Sequence, residues 1–210
     1  MKPLVIYHDN CADGFDVTAF AAWLKLGDDA EVPMLIRHID DRDCWQFKLT
    51  GTREFHAALL SGQPWSFKQW HKLFGSELES MYRAGRAILQ AHNQNVQAMM
   101  KQARKCEITE PETVANFQRA VWSASGYYML PGLACNAPPF LASDLGHALA
   151  TQSGTYGLVW HLDADNLVRC SLRSNDDYDV SAIAKAFGGG GHKNAAGFSI
   201  NLDILARWLA

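Results

Sequence analysis

The sequence lacks the features that mark several large classes of protein. Its five cysteines are scattered and none belongs to a CxxC pair, which argues against a disulfide framework and against a zinc site. A formal net charge of −3 argues against nonspecific coating of nucleic acid. The apolar run at residues 3–7 is far too short for a signal peptide or a membrane span. With 48% hydrophobic and 20% charged residues, the 210-residue chain is expected to be a folded, reduced, cytoplasmic protein without membrane contact.

The first 30 residues have the pattern of one strand followed by one helix. Leu4–Tyr7 is a short β-rich run, and the polar segment His8–Gly14 follows it. Phe15–Leu26 then carries apolar residues at helical spacing and ends at Gly27, a plausible helix cap. In open α/β sheets, turns at the carboxyl ends of strands are places where ligands bind.

The middle of the chain is mainly helical in pattern. Val32–Ile39 is compatible with a short helix or an irregular segment. Trp45–Arg104 has helical spacing with several breaks, and Glu77–Arg104 is its most convincing long helix. Apolar residues are sparse in that helix, so one of its faces is expected to lie in water. Glu107–Gly132 stays open between helix and strand.

From residue 133 the pattern changes to that of a compact α/β domain. Short β-rich runs alternate with helical ones, and Asp163–Asn166 has the composition of a hairpin turn. Ser143 precedes a helical run and is predicted to cap it. The predicted strands are Leu133–Ala137, Gly157–Leu162, Val168–Leu172 and Ala196–Ile200, and the predicted helices are Ser143–Ala150 and Val180–Phe187.

Four successive glycines near the C-terminus give the sharpest signal for function. They lie in the stretch FGGGGHKNAAGF, which runs from Phe187 to Phe198. Glycine adopts positive φ easily and lets backbone N–H groups approach a phosphate, although such a run is also compatible with a flexible loop. Arg173, just beyond a predicted strand, has a guanidinium suited to bidentate phosphate binding.

Three segments together resemble the DHH-associated C-terminal domain of DHH-family phosphoesterases. They are SLRS, DVSAIAKAFGGGGHKNAAGF and NAPPFLASDLGHALA. That domain holds the nucleotide end of the substrate, so the resemblance implies a set of substrate-binding residues. Ser143, Asp144 and His147 match a further stretch of the family, with a capped surface helix as the alternative. The implied substrate-binding residues are Arg173, Gly188, Gly189, Gly190, Gly191, His192 and Asn194.

Two N-terminal segments resemble metal-binding motifs of the same family. VIYHDNCADGF is similar to the first motif, which implies that His8 and Asp13 are manganese ligands. HIDDRDCW is similar to the last metal motif, which implies Asp41 as a ligand and leaves Asp40 and Asp43 structural. The alternative for this second segment is a solvated acidic turn.

Two other motifs of the family are absent from the sequence. There is no Asp-His-His triplet, no His-His pair, and no segment matching the one that carries the metal-bridging aspartate. The resemblance therefore implies a partial shell for at most one manganese ion, and no residue is assigned as catalytic. The expected architecture is α/β: a truncated βα remnant of the DHH domain (1–44), a mainly helical connector (45–132), and a compact substrate-binding domain with a mixed sheet (133–210).

Three functions are compatible with these residues. The first is binding of nucleotides or short single-stranded nucleic acid ends by the C-terminal domain, with hydrolysis weak or lost. The second is a manganese-dependent phosphodiesterase or exonuclease acting on oligonucleotides or dinucleotides, and the third is a purely structural interaction protein. Because Leu4–Tyr7 is a strand without an encoded neighbour, a homodimer or a partner protein is also expected.

Overall fold

A computed structural model describes residues 32–61, 73, 78–109, 121–122, 128–175 and 178–209. The chain divides into two compact units, residues 1–93 and 94–210. The α/β class and the compact C-terminal α/β domain with a mixed sheet are confirmed. The predicted strand Leu4–Tyr7 and helix Phe15–Leu26 lie outside the described residues. No helix in the described ranges is both long enough and apolar enough to cross a membrane.

The described part of the first unit is helical. It contains α1 (Met34–Asp43), α2 (Thr52–Ser61) and the start of α3 (Leu78–Met100). Gly85 brings α3 close to α2, because a Cβ there would lie 1.8 Å from the carbonyl oxygen of Glu54. The core of this unit is formed by Leu35, Ile36, Ile39, Phe55 and Leu59, with Val32, Leu73, Leu78, Met81 and Tyr82 packed against them.

Two helical predictions in this region are wrong at their ends. The segment after Cys44 is not helical, since Trp45 and Phe47 have φ of 55° and 50°. The long helix ends at Met100, and Arg104 belongs to a strand instead of the helix. Local helical spacing did not reveal that this strand places alternate residues in a buried core.

The second unit is built on one mixed sheet. In the order β1-β3-β4-β5-β7-β6, β3 and β4 are parallel and all other neighbours are antiparallel, while β2 pairs antiparallel with β3. The strands are β1 (Arg104–Ile108), β2 (Val121–Trp122), β3 (Tyr128–Asn136), β4 (Tyr156–Leu162), β5 (Val168–Ser174), β6 (Gly190–His192) and β7 (Ala195–Ile200). The helices are the 3₁₀ turn Pro139–Leu141, α4 (Ala142–Ser153), α5 (Val180–Ala186) and α6 (Leu202–Trp208).

The two sides of this sheet are covered by different helices. Side chains such as Leu158, Leu172 and Phe198 point to the side where α5 and α6 pack, and they form the larger core cluster. Val159 and Cys135 point to the other side, where α4 forms a second cluster with the end of α3. We call the first side the core face and the second the α4 face.

Several sequence predictions for this unit need correction. Ser143 is not a helix cap, because α4 begins at Ala142 directly after a 3₁₀ turn and Leu141 occupies the cap position without a side-chain bond. The last glycines do not merely break the chain: Gly190–His192 pairs with β7 as a strand. Helix α6, which the sequence analysis missed, contributes the buried Trp208. The segment Glu107–Gly132, which the sequence left open between helix and strand, contains the end of β1, all of β2 and the start of β3.

Candidate functional site

The sheet register places two predicted substrate-binding residues in one row on the α4 face. Arg173 pairs with Ala195, and Ala195 pairs in turn with His192. Directly paired residues of antiparallel strands project to the same side of a sheet, and neighbouring strands lie about 4.8 Å apart. Arg173 and His192 therefore flank the small side chain of Ala195 at a backbone separation of roughly 10 Å.

The next row on the same side is made of small residues. Ser171 pairs with Gly197, and Gly197 pairs with Gly190. All three residues are half-buried. With no bulky side chain along this row, a ligand can approach the backbone closely. We call this surface of β5, β7 and β6, with Arg173 and His192 above it, the arginine face.

Helix α4 positions the side chain of Arg173. The Arg173 Nη2 atom donates a hydrogen bond of 3.0 Å to the Ser143 hydroxyl, and Nη1 donates one of 2.8 Å to the carbonyl oxygen of Leu172. Gly146 leaves room for the aliphatic stem, because a Cβ there would lie 2.8 Å from Cγ of Arg173. The sequence prediction for Arg173 did not include the support from Ser143 and Gly146. Both residues lie in the segment NAPPFLASDLGHALA, which resembles the family.

A second arginine on this side is engaged with an acidic partner. Arg169 donates from Nε to the carboxylate of Asp163 at 2.5 Å and from Nη1 to the Ser199 hydroxyl at 2.8 Å. A hydrogen bond from the Leu167 N–H, with further help from Arg169, lowers the pKa of Asp163, so its carboxylate is ionised at neutral pH. The charge of Arg169 is thus balanced locally.

The fold constrains the four glycines at positions 188–191 in different ways. Gly188 and Gly191 have φ of 74° and 140°, values that other residues rarely adopt. Gly189 has no positive φ, but a Cβ there would lie 2.1 Å from the carbonyl oxygen of Gly197. Gly190 has neither constraint, and a Cβ there would have no atom within 4 Å. The backbone of this segment therefore explains three of the four glycines and leaves Gly190 without a structural reason.

Asn194 is joined to the fold through its side chain. Its Nδ2 atom donates a 3.1 Å hydrogen bond to the Ser174 hydroxyl, which donates in turn to the carbonyl oxygen of Tyr178 at 2.5 Å. The Lys193 carbonyl oxygen accepts from the Val180 N–H at 2.8 Å. These bonds fix the turn between β6 and β7 to the start of α5, so Asn194 helps to shape the segment that carries His192.

Asp41, the metal ligand implied by the family resemblance, is buried in the first unit and holds a loop. Its carboxylate accepts hydrogen bonds from the N–H groups of Lys48 and Leu49 at 2.8 and 3.1 Å and from the Thr52 hydroxyl at 2.6 Å. These bonds draw the chain after α1 back to the start of α2. Asp40 lies on the exposed side of α1 and accepts a weak 3.5 Å hydrogen bond from the Cys44 thiol.

The hydrogen bonds continue from Asp41 to the interior of the unit. Thr52 donates to Asp41, so its oxygen accepts from Nδ1–H of His38 at 2.8 Å, while the Tyr82 hydroxyl donates to Nε2 of the same ring at 2.5 Å. Burial lowers the pKa of His38 despite the nearby charge of Asp41, so the ring is neutral at pH 7. This arrangement uses both ring nitrogens within the fold.

The donor set in the described ranges does not by itself fit a manganese site. In these ranges no group of three or more His, Cys, Asp or Glu side chains is placed to hold a metal ion. Three hydrogen bonds already occupy the Asp41 carboxylate, and His8 and Asp13 lie outside the described residues. Asp41 as a metal ligand therefore stays a prediction, and no hydrolytic step is derived through it.

Replacing Asp41 with asparagine is expected to lower the melting temperature and to flatten its dependence on acid pH. Burial raises the pKa of Asp41, but the hydrogen bonds from Thr52, Lys48 and Leu49 outweigh it and leave the pKa below its ordinary value. The carboxylate thus contributes stability that is present above its unfolded-state pKa of about 3.9 and is lost as pH falls through the lower folded-state value. Thermal melts of both proteins between pH 2 and 7 measure the difference. The same pH slope in both would show that Asp41 does not contribute in this way.

Comparison with known proteins finds a domain-family match within the second unit. Residues 144–209 match the family model of the DHHA1 domain, in agreement with the resemblance of the C-terminal sequence to a DHH-associated domain. The match contains Arg173, the four glycines and His192. It begins inside α4 and ends one residue after α6.

Three longer proteins are similar to this chain at low sequence identity. It is 27% identical over 183 residues to the uncharacterised protein R106 of Acanthamoeba polyphaga mimivirus, covering 85% of this chain and 40% of the length of that relative. The pGpG-specific phosphodiesterase PggH from Vibrio cholerae has a similar fold, with a TM-score of 0.50 and 12% identity over 91% of this chain and 70% of that one. An exopolyphosphatase-related protein from Bacteroides fragilis aligns with a TM-score of 0.37 and 10% identity over 68% of this chain and 41% of that one.

Proposed function

We propose that this protein binds the phosphorylated end of a nucleotide or short single-stranded oligonucleotide on the arginine face, with weak or no hydrolysis. The observation that carries the proposal is the row of Arg173, Ala195 and His192 beside the row of Ser171, Gly197 and Gly190. A guanidinium lies beside a surface without bulky side chains, and β6 is the last strand in the sheet order, so part of its N–H groups point away from β7. Guanidinium and backbone N–H groups are the usual donors to phosphate.

The DHHA1 match and the fold of a pGpG-specific phosphodiesterase support this choice of ligand class. Both point to nucleotides as the ligands to test. The alternative function is a manganese-dependent phosphodiesterase or exonuclease, which the family resemblance of His8, Asp13 and Asp41 favours.

Calorimetric titration of the full chain with AMP in excess EDTA tests the binding function. We expect saturable binding without added metal, because the arginine face supplies phosphate donors from the protein alone. Inorganic phosphate should compete only at much higher concentration, since it lacks the nucleoside. Absence of binding in EDTA at millimolar AMP would overturn the proposal.

Manganese-dependent hydrolysis is expected to be weak. Two motifs that supply ligands to a two-metal centre are absent from the sequence, and such a centre stabilises both the attacking and the leaving oxygen. We expect turnover of the dinucleotide pGpG with manganese to lie several powers of ten below ordinary enzyme rates of about 10 per second. Chromatography of the products measures this rate. Fast turnover that His8→Ala or Asp13→Ala abolishes would establish the alternative function instead.

We also propose that the chain forms a homodimer, as the unpaired strand predicted at Leu4–Tyr7 requires a neighbour. Those residues lie outside the described part of the chain, and a strand without a neighbour leaves its N–H and C=O groups unpaired. Sedimentation equilibrium at micromolar concentration is expected to give twice the mass of 23.3 kDa. A monomer mass would indicate that the strand is paired within its own chain.

A further inference from the structure

A groove in the second unit lies at the ends of β3 and α3, away from the arginine face. Its volume is about 600 Å³, within the range of small-molecule sites. Strand residues contribute its floor, the turn after α3 forms one wall, and the residue after α6 forms another. The lining residues are Lys101, Gln102, Ala103, Arg104, Ala134, Cys135, Asn136, Trp160 and Leu209.

The register places the floor of this groove on the core face of the sheet. Arg104 pairs with Ala134, whose side chain belongs to the larger core cluster, and Asn136 pairs with Trp160. Arg173 lies on the opposite side of the same sheet, with the α4 helix against its stem. The groove and the arginine face are therefore separate surfaces of one domain.

The ionisable charge in the groove is positive. Lys101 and Arg104 are exposed, and neither makes an ion pair or side-chain hydrogen bond with another described residue. No aspartate or glutamate is among the lining residues. The Cys135 thiol bonds to the carbonyl oxygen of Met99 at 3.3 Å, and burial raises its pKa, so it adds no negative charge at neutral pH. The charge of the groove therefore favours the binding of an anion.

An aromatic side chain and an oriented amide lie beside these cations. Trp160 is half-buried, with part of its indole packed on the core and part lining the groove. Asn136 donates from Nδ2 to the carbonyl oxygen of Trp160 at 3.0 Å. Because a carbonyl oxygen only accepts hydrogen bonds, this contact fixes the amide orientation and leaves the Asn136 side-chain oxygen as an acceptor. The small side chain of Ala134, between Arg104 and Asn136, leaves space for a ligand above the floor of the groove.

We propose that this groove is a second ligand site, for a nucleoside phosphate whose base carries an exocyclic amino group. Trp160 offers a stacking surface to the base, and the Asn136 oxygen accepts from the amino group. Lys101 and Arg104 bind the phosphate. An indole with two cations matches a planar ring joined to an anion better than it matches inorganic phosphate or an uncharged apolar compound. The site is independent of the proposed function, because it uses no residue of the arginine face.

The test uses the full chain carrying Gly190→Val, which is designed to block the arginine face. In EDTA, calorimetric titration is expected to show one AMP bound, with adenosine and UMP each weaker by about tenfold or more, the effect of one lost good contact. The double substitution Lys101→Ala/Arg104→Ala is expected to weaken AMP binding by at least about tenfold. Lys105→Ala is the matched control, since Lys105 is the neighbouring exposed cation but lines a different groove.

Three results would overturn the second site. They are no saturable AMP binding in the Gly190→Val chain, equal affinity for AMP and adenosine, and equal weakening by Lys105→Ala and by the double substitution. Failure here is distinguishable from failure of the proposed function. If wild-type protein binds one AMP and Gly190→Val abolishes it, only the arginine face binds; if the groove substitutions alone remove all binding, only the groove binds.

Discussion

Gly190→Val is expected to lower the affinity for nucleotide on the arginine face by about 100-fold or more, a loss of about 2.8 kcal/mol, while the fold stays intact. A Cβ at Gly190 meets no atom within 4 Å, and valine is favoured in strands, so β6 accommodates it. The added side chain lies in the row of Ser171 and Gly197, where it blocks close approach of a phosphate to the backbone. Calorimetry in EDTA measures the affinity, and a thermal melt measures the stability.

Gly189→Ala is the contrasting control. A Cβ at Gly189 would lie 2.1 Å from the carbonyl oxygen of Gly197, so the backbone has to move. Overpacking of this kind typically costs about 1–3 kcal/mol of unfolding free energy. We therefore expect Gly189→Ala to lower the melting temperature and Gly190→Val to leave it unchanged. Full arginine-face affinity in Gly190→Val, measured in a chain that also carries Lys101→Ala/Arg104→Ala, would show that phosphate does not approach this row.

Arg173→Ala is expected to have the second large effect, a loss of about 10- to 150-fold in affinity for AMP on the arginine face. That range corresponds to about 1.5–3 kcal/mol, the contribution of a hydrogen bond to a charged group. The guanidinium is partly exposed and its acceptor, the Ser143 hydroxyl, carries no charge, so we expect a smaller effect on the melting temperature. Parallel titrations and melts of the two proteins separate binding from folding.

Two further variants show whether Arg173 acts through its planar donor group. Arg173→Lys keeps the charge but loses the bidentate geometry, so most of the affinity should still be lost. Gly146→Ala keeps Arg173 but places a Cβ within 2.8 Å of its Cγ, which forces the side chain to shift. We expect weaker AMP binding on the arginine face in both. Unchanged affinity in Arg173→Ala and in Gly146→Ala would remove Arg173 from the site.

The sequence predicted the second unit better than the first. Strands β4, β5 and β7 and the turn at Asp163–Asn166 fall within one or two residues of their predicted bounds. Short β-rich runs joined by a strong turn signal carry their structure locally. The prediction that Arg173 and His192 lie close together needed the family resemblance, because only the pairing of β5, β7 and β6 brings them into one row.

The errors have a common physical cause, which is side-chain contact that the spacing of apolar residues does not encode. Trp45 and Phe47 leave the helical conformation where the Asp41 carboxylate binds the N–H groups of the following loop. Ser143 lies inside α4 because the 3₁₀ turn before it extends the helix, and its hydroxyl meets Arg173 instead of a backbone N–H. Neither contact is visible in local spacing.

The sequence alone also could not predict that the four glycines are constrained in different ways. The run GGGG is uniform in composition, yet positive φ, close packing and open space apply to different members of it. Only the pairing of β6 with β7 separates Gly190 from its neighbours. Because of this difference, a substitution at Gly190 tests phosphate binding without disturbing the fold.

Incubation of the full chain with pGpG and manganese, followed by separation of bound ligand from free ligand, tests the central claim most directly. The account predicts that pGpG binds, that binding persists when EDTA replaces manganese, and that the dinucleotide is recovered intact. Rapid conversion to mononucleotides with manganese, or complete loss of binding in EDTA, would contradict it.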